Sequence, residues 1–243
     1  MTWDHARFHE EVQATGVFDA AYADDVLARL AYNSSAIEGN TLTLADTITL
    51  LVDERTPRAG TAVRELYEVS NHREAIARVL HAVADDEPLT TRLVTDLHGL
   101  LMDHLAHDHG QYKTSSNRIT GASWRPAEPS QVPQLMQQWV DQTEWQTANL
   151  DGPPLLEAIA QSHIAFERIH PFSDGNGRTG RALIAYQTVR KYGFPAIVRV
   201  DQRSSYITML DAQDVPALAT LLATNLAAEA DRYGLAPAPP PNA

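Results

Sequence analysis

The chain has no cysteine, so it can hold no disulfide, and any metal site must do without thiolate ligands. Basic residues are scarce: 19 Lys and Arg face 31 Asp and Glu, for a formal net charge of −12. That balance argues against nucleic acid as a partner, because a phosphate backbone demands clustered positive charge. Long apolar runs are missing as well. None approaches the ~20 residues that a membrane-spanning helix needs, and Asp4, Glu10 and Glu11 near the start do not resemble a secretory signal. A membrane partner is therefore not expected. There is no internal repeat.

What is present suits one large helical core. The 243 residues are 44% hydrophobic and 21% charged, a globular composition. Leu155, Ala158, Ile159, Ser162, Phe166 and Ile169 recur at spacings of three and four, which predicts an amphipathic helix. It should stop near Ile169, because Pro171 disfavours helical conformation at His170. A second helix is predicted from Arg178 to Lys191, with Gly193 as its stop. Further helices are expected from Thr43 through Leu51, from Ala62 to Val83, from Thr90 or Thr91 towards His104, from Ser130 to Trp145, from Gln202 onwards, and from Val215 to Tyr233. The fold class is all-α. Residues 235–243 are rich in proline and alanine and read as a flexible tail.

The richest chemistry lies in His170-Pro171-Phe172-Ser173-Asp174-Gly175-Asn176-Gly177-Arg178-Thr179-Gly180-Arg181. A histidine can take a proton from a hydroxyl near neutral pH. Asp174 is a hard oxygen ligand suited to Mg²⁺. Gly175 and Gly177 let backbone amides converge on an anion, and the start of a helix adds its own free amides and dipole. Arg178 and Arg181, three residues apart, share a helix face and offer forked donors for phosphate oxygens. Any one of these residues could be merely structural, but together they describe a polyphosphate site.

Other segments give weaker signals. Ser34 and Glu38 share a helix face, Gly39 is a natural stop, and a glutamate at a helix C-terminus opposes the dipole, so another group should hold it. Gly110-Gln111-Tyr112-Lys113 and the following residues to Pro126 suggest a β-hairpin. Tyr206 could stack on a base or sit in the core. His98, His104, His107 and His109 cluster in sequence, but local histidine density more often reflects capping or solvated charge than a metal site. His5 and His9 support no assignment from spacing alone.

The segment from His170 to Arg181 resembles the Fic-family signature His-x-Phe-x-(Asp/Glu)-Gly-Asn-Gly-Arg-x-x-Arg at every specified position. The resemblance implies a Fic-type helical bundle with a small β-hairpin flap beside the active site. It implies an N-terminal helical region over 1–60, a catalytic core over 61–234 with the flap near 111–125, and the tail. It further implies a protein adenylyltransferase that moves AMP from Mg²⁺-bound ATP to a protein hydroxyl. His170 would be the base and Asp174 the Mg²⁺ ligand. Gly175, Asn176, Gly177, Arg178 and Arg181 would hold ATP, with Tyr206 near the base. Ser34 through Gly39 resembles the family's inhibitory motif (Ser/Thr)-x-x-x-Glu-(Gly/Asn), in which Glu38 would pair with Arg181. Ile119, Thr120 and Gly121 would form the flap tip that docks the target, and Lys113 departs from the usual arginine there.

The partner would be a protein substrate, the chain itself included, with homo-oligomerisation as a means of control. ATP use points to the cytoplasm. Two alternatives stand beside transfer: removal of AMP with Glu38 activating water, and slow nucleotide sensing. Related domains use other donors, but the retained Gly175 and Gly177 favour AMP.

Overall fold

A computed structural model describes residues 4–117 and 124–233. Among these residues the chain forms ten α-helices: α1 (His5–Thr15), α2 (Ala20–Ile37), α3 (Leu44–Leu51), α4 (Val63–Ala84), α5 (Thr91–Leu101), α6 (Val132–Asn149), α7 (Gly152–Ile169), α8 (Asn176–Tyr192), α9 (Arg203–Ala212) and α10 (Val215–Arg232). Two short 3-10 turns, Pro129–Gln131 and Val200–Gln202, lead into α6 and α9.

The boundaries follow local chemistry. Thr43 and Asp46 form a reciprocal capping box at α3. The Thr90 hydroxyl accepts from the Leu93 amide at 3.0 Å and starts α5. That helix ends at Leu101, short of the expected His104. Asn71 on α4 donates to the carbonyls of Leu101 and Asp103 at 3.0 and 2.8 Å, and His104 is left-handed at φ 58°. Gly193 closes α8 in the left-handed region at φ 78°.

α8 is the central element, packed by α2, α4, α5 and α7. It is buried almost all round. Leu183, Ile184, Tyr186 and Val189 lie inside, but so do Arg178, Thr179, Arg181, Gln187 and Thr188. A helix in that position needs partners for polar groups on every side. α7 supports it through Phe166 and His163, and Gly180 sets how closely the two helices approach. A Cβ there would lie 2.5 Å from Glu167 Oε1 and 2.8 Å from His163 Cε1. The N-terminal helices share the core rather than forming their own: Phe8, Val12, Leu27 and Leu51 pack in one cluster with Ile76, Leu80, Ala185 and Val189.

The expected hairpin is not seen. Among the described residues there is no strand, and Ile119, Thr120 and Gly121 lie outside them. The described residues before this segment bond to the loop after α7. The Lys113 amide donates to Pro171 O at 2.9 Å, and Asn117 Nδ2 donates to Phe172 O at 3.0 Å. No described helix is long and apolar enough to cross a membrane.

Gly180→Ala should lower stability although alanine favours helix by about 1 kcal/mol. The buried overlap with Glu167 and His163 should outweigh that gain and leave a net loss of about 1 kcal/mol. Thermal unfolding would show a fall of about 2–4 °C, and an unchanged or raised Tm would count against this account of the α7–α8 contact.

Candidate functional site

α7 ends where Pro171 requires it, and His170 takes the C-cap in the left-handed region at φ 50°, ψ 61°. A histidine there is strained, and such strain clusters at functional positions. The His170 amide donates to Phe166 O at 2.9 Å, and Nδ1 lies 3.3 Å from Glu167 O. Since a carbonyl only accepts, Nδ1 carries the proton and Nε2 keeps its lone pair. Burial pushes the His170 pKa down to about 4, assisted by Lys113, so the imidazole is neutral at physiological pH.

Phe172 anchors the loop. It is fully buried and stacks on His98 with ring centroids 3.6 Å apart. His98 accepts from the Gly110 amide at Nδ1 (2.9 Å), so Nε2 carries hydrogen and donates to Asp174 O at 3.0 Å. Burial lowers its pKa to about 4. His98 is therefore a loop support, a role that spacing did not reveal. Asn176 has a similar duty. Its side chain accepts from the Phe172 amide and donates to Phe172 O, each at 2.9 Å. This reciprocal clamp leaves the backbone, not the Asn176 side chain, to meet an anion.

Gly175 precedes α8 at φ 76°, and no side chain caps the helix. The first amides of α8 are therefore left for an outside acceptor. Behind them are two buried arginines. Arg178 is 3% exposed, and its Nε and Nη1 have no hydrogen-bond partner. Its nearest carboxylates are Asp174 at 3.6 Å and Glu68 at 4.0 Å. Arg181 is satisfied: Nε donates to Ser34 Oγ at 3.1 Å, and Nη2 donates to Ser34 O at 2.9 Å and to Glu38 Oε1 at 2.8 Å. Ser34 and Glu38 thus meet the end of the motif, as expected. Burial alone would raise the Glu38 pKa, but the charge and hydrogen bond of Arg181 prevail and hold it below the usual range. Glu38 also occupies the space over Gly177, where any Cβ would collide with Oε1.

Asp174 stands at the rim, 53% exposed. Burial works against its charge, but Arg178, the Gly175 amide and Arg64 together keep its pKa low. One oxygen receives the Gly175 amide at 2.6 Å and the other receives Arg64 Nη2 at 3.1 Å. An ionised, open carboxylate beside an unsatisfied guanidinium fits a hard divalent cation bound jointly with a phosphate.

Tyr206 does not face this cleft. It is 1% exposed, and its hydroxyl lies 2.6 Å from His163 Nε2, so the ring offers no open face to a base. The core placement weighed for it is the one observed. Beneath the site lies a buried pair that sequence spacing did not reveal. Glu167 Oε1 has no hydrogen-bond partner, and burial pushes the Glu167 pKa up to about 8. Neighbouring His163 is pushed down to about 3 by burial, helped by Arg181. Their 4.0 Å separation is accordingly a contact between neutral groups at pH 7 and not an ion pair.

Comparison with known proteins places this geometry. A model of the Fic/DOC family matches residues 88–188. The chain is 31% identical over 183 residues to the protein adenylyltransferase Fic of Nematostella vectensis, covering 74% of this chain and 42% of that protein. It is 29% identical over 180 residues to the protein of the same name from Drosophila willistoni, covering 74% and 35%. The chain thus spans less than half the length of these relatives. A Fic domain containing signaling protein from Bacteroides thetaiotaomicron has the same fold, with a TM-score of 0.77 at 23% identity over 96% of this chain and 98% of that one. Fic-1 from C. elegans gives a TM-score of 0.75 at 23% identity, over 94% and 70%.

Glu167 makes a stability prediction whose sign is fixed. Its folded pKa of about 8 lies above the ordinary 4.5 of a glutamate, so the folded state binds the extra proton between those values. The neutral carboxyl is tolerated at low pH, and stability is lost as pH rises through about 8. Glu167→Gln, which cannot ionise, should therefore gain Tm relative to the wild type as pH is raised from 5 to 8.5. A difference in Tm that stays flat with pH would refute the buried neutral acid.

Proposed function

We propose, from the premise that this chain belongs to the Fic/DOC family, that it is a protein adenylyltransferase restrained by its own Glu38. The observation that carries this reading is that one loop–helix segment holds a neutral, tautomer-fixed His170 at its start and, at the head of α8, a buried Arg178 whose Nε and Nη1 lack partners. A free Nε2 and an unsatisfied guanidinium on the same loop–helix segment suit attack by a hydroxyl on a phosphate.

The hydroxyl oxygen of the target attacks the α-phosphorus of ATP. The bond to the bridging oxygen breaks, pyrophosphate leaves, and the proton passes to His170 Nε2. Asp174 would hold Mg²⁺, which neutralises phosphate charge when bound. Arg178 and the first amides of α8 draw the phosphates to the loop, so the chain contributes mainly by positioning and charge. Negative charge arriving near His170 also raises its pKa towards a more useful value.

Glu38 acts as the brake. It spends one guanidinium donor of Arg181 and covers Gly177, where an outer phosphate would need both. The ionised carboxylate is 41% exposed, and this accessibility favours a second reading in which Glu38 activates water to remove AMP from a modified protein. Protein target and oligomeric control belong to the same proposal, with the chain itself as the first substrate to try.

Mass spectrometry of wild type, Glu38→Gly and Glu38→Gly/His170→Ala after incubation with Mg²⁺ and ATP tests both readings. Freeing Arg181 from a hydrogen bond to a charged group, about 1.5–3 kcal/mol, should raise AMP labelling roughly ten- to a hundredfold. The second substitution should abolish it. Equal labelling of wild type and Glu38→Gly would remove the brake, and loss of pre-attached AMP from the wild type alone would favour the removal reaction.

A further inference from the structure

Far from the cleft, three metal-ligating side chains converge at the junction of α1 and α2. His5 and His9 stand four residues apart on one face of α1, and Asp24 faces them from α2. His5 Nε2 lies 2.9 Å from Asp24 Oδ1, and His9 Nε2 lies 2.8 Å from the same oxygen. The two imidazoles are 4.2 Å apart between centroids and inclined at 53°, and both direct Nε2 to the same carboxylate oxygen. One ligand atom from each residue falls within a sphere of contacts no wider than 4.8 Å. All three side chains are partly buried, with exposures of 20%, 28% and 22%.

We propose that His5, His9 and Asp24 form a binding site for a divalent transition metal of the Zn²⁺ type. Two imidazoles and one carboxylate suit Zn²⁺ and its neighbours better than Mg²⁺ or Ca²⁺, which prefer oxygen alone. Metal–ligand lengths near 2.0–2.2 Å in a tetrahedron put ligand atoms roughly 3.3 Å apart. The two imidazole–carboxylate distances, 2.9 and 2.8 Å, need to open by only about half an ångström to reach that spacing. Both Nε2 atoms must present lone pairs to the metal, with the ring hydrogens on Nδ1, and water takes the fourth position.

The ligands sit on elements that other contacts already hold. Asp4 caps α1 by accepting from the Arg7 amide at 2.8 Å. The His5 amide donates to Glu54 Oε1 at 2.6 Å, Glu11 lies 2.8 Å from His81 Nε2, and Phe8 and Val12 are buried in the core. A site on such prearranged elements needs little further ordering to bind. The metal would clip α1 to α2, the helix whose last turns present Ser34 and Glu38 to Arg181, about 15 Å further along its axis from Asp24 to Ser34.

The test uses the full chain, stripped with EDTA and titrated first with Co²⁺, whose visible spectrum reports coordination, and then with Zn²⁺. The expected result is one equivalent of metal with a tetrahedral Co²⁺ spectrum that Zn²⁺ displaces. Zn²⁺ at a hundred times its Kd should raise Tm by about 5 °C or more. His5→Ala and His9→Ala should each weaken binding about tenfold or more, while their Tm in EDTA shows that they remain folded. Unchanged affinity in both variants would place any bound metal elsewhere and overturn the site, as would failure of the wild type to bind one equivalent.

Discussion

The structure turns on two arginines buried at the start of one helix. Arg178 and Arg181 lie within the first two turns of α8, and both are less than a tenth exposed. The helix dipole adds partial positive charge at the same end. Burying a guanidinium is costly unless hydrogen bonds and opposite charge offset it. The neighbourhood therefore has to be organised around a deficit of negative charge. Glu38 supplies one carboxylate directly, Asp174 and Glu68 supply more distant ones, and the amides of α8 remain for an anion from outside.

That positive field also sets the state of nearby titratable groups. His72, His98 and His163 are all pushed down by burial first and by the arginines next, so none adds a further positive charge. Glu167 is the exception in sign, because burial outweighs Arg181 and keeps it neutral. A neutral Glu167 does not compete with Glu38 for Arg181. Its backbone carbonyl fixes the tautomer of His170, and its side chain presses on Gly180. One residue of α7 thus links the geometry of His170 to the packing of the arginine-bearing helix.

Much of this was readable from local signals. Pro171 after His170, Gly193 after Lys191, and Thr43 before Asp46 each mark a boundary by a short-range rule, and each boundary stands within two residues of its expected place. The motif also identified Arg178 and Arg181, because three-residue spacing puts them on one face. Spacing could not show that they divide their work, Arg181 turning to Ser34 and Glu38 while Arg178 stays with unpartnered nitrogens. The supports were harder still. His98 reaches Asp174 across 76 residues, and His163 reaches Tyr206 across 43. No periodicity reports such pairs, and the cluster of histidines near His98 suggested a different use for it. Asn176 misled for the opposite reason: its place inside a phosphate motif hid a clamp on Phe172.

The position of Glu38 determines which groups its contact can reach. His170 takes its tautomer from Glu167 O, on its own helix, and not from Glu38. The contacts of Glu38 are instead with Arg181 and the space over Gly177, at the head of α8. The backbone that carries Glu38 has anchors of its own. Arg203 Nε donates to Ile37 O at 2.7 Å, Asn40 Nδ2 donates to Glu65 O and Glu68 Oε2, and Ile37 is buried. Shifting the end of α2 would break all of these at once. Rotating the half-exposed Glu38 side chain breaks only its bond to Arg181, because Ser34 Oγ and Ser34 O still hold that guanidinium. Moving that single side chain is therefore the lesser structural change, and it leaves Arg181 oriented by Ser34.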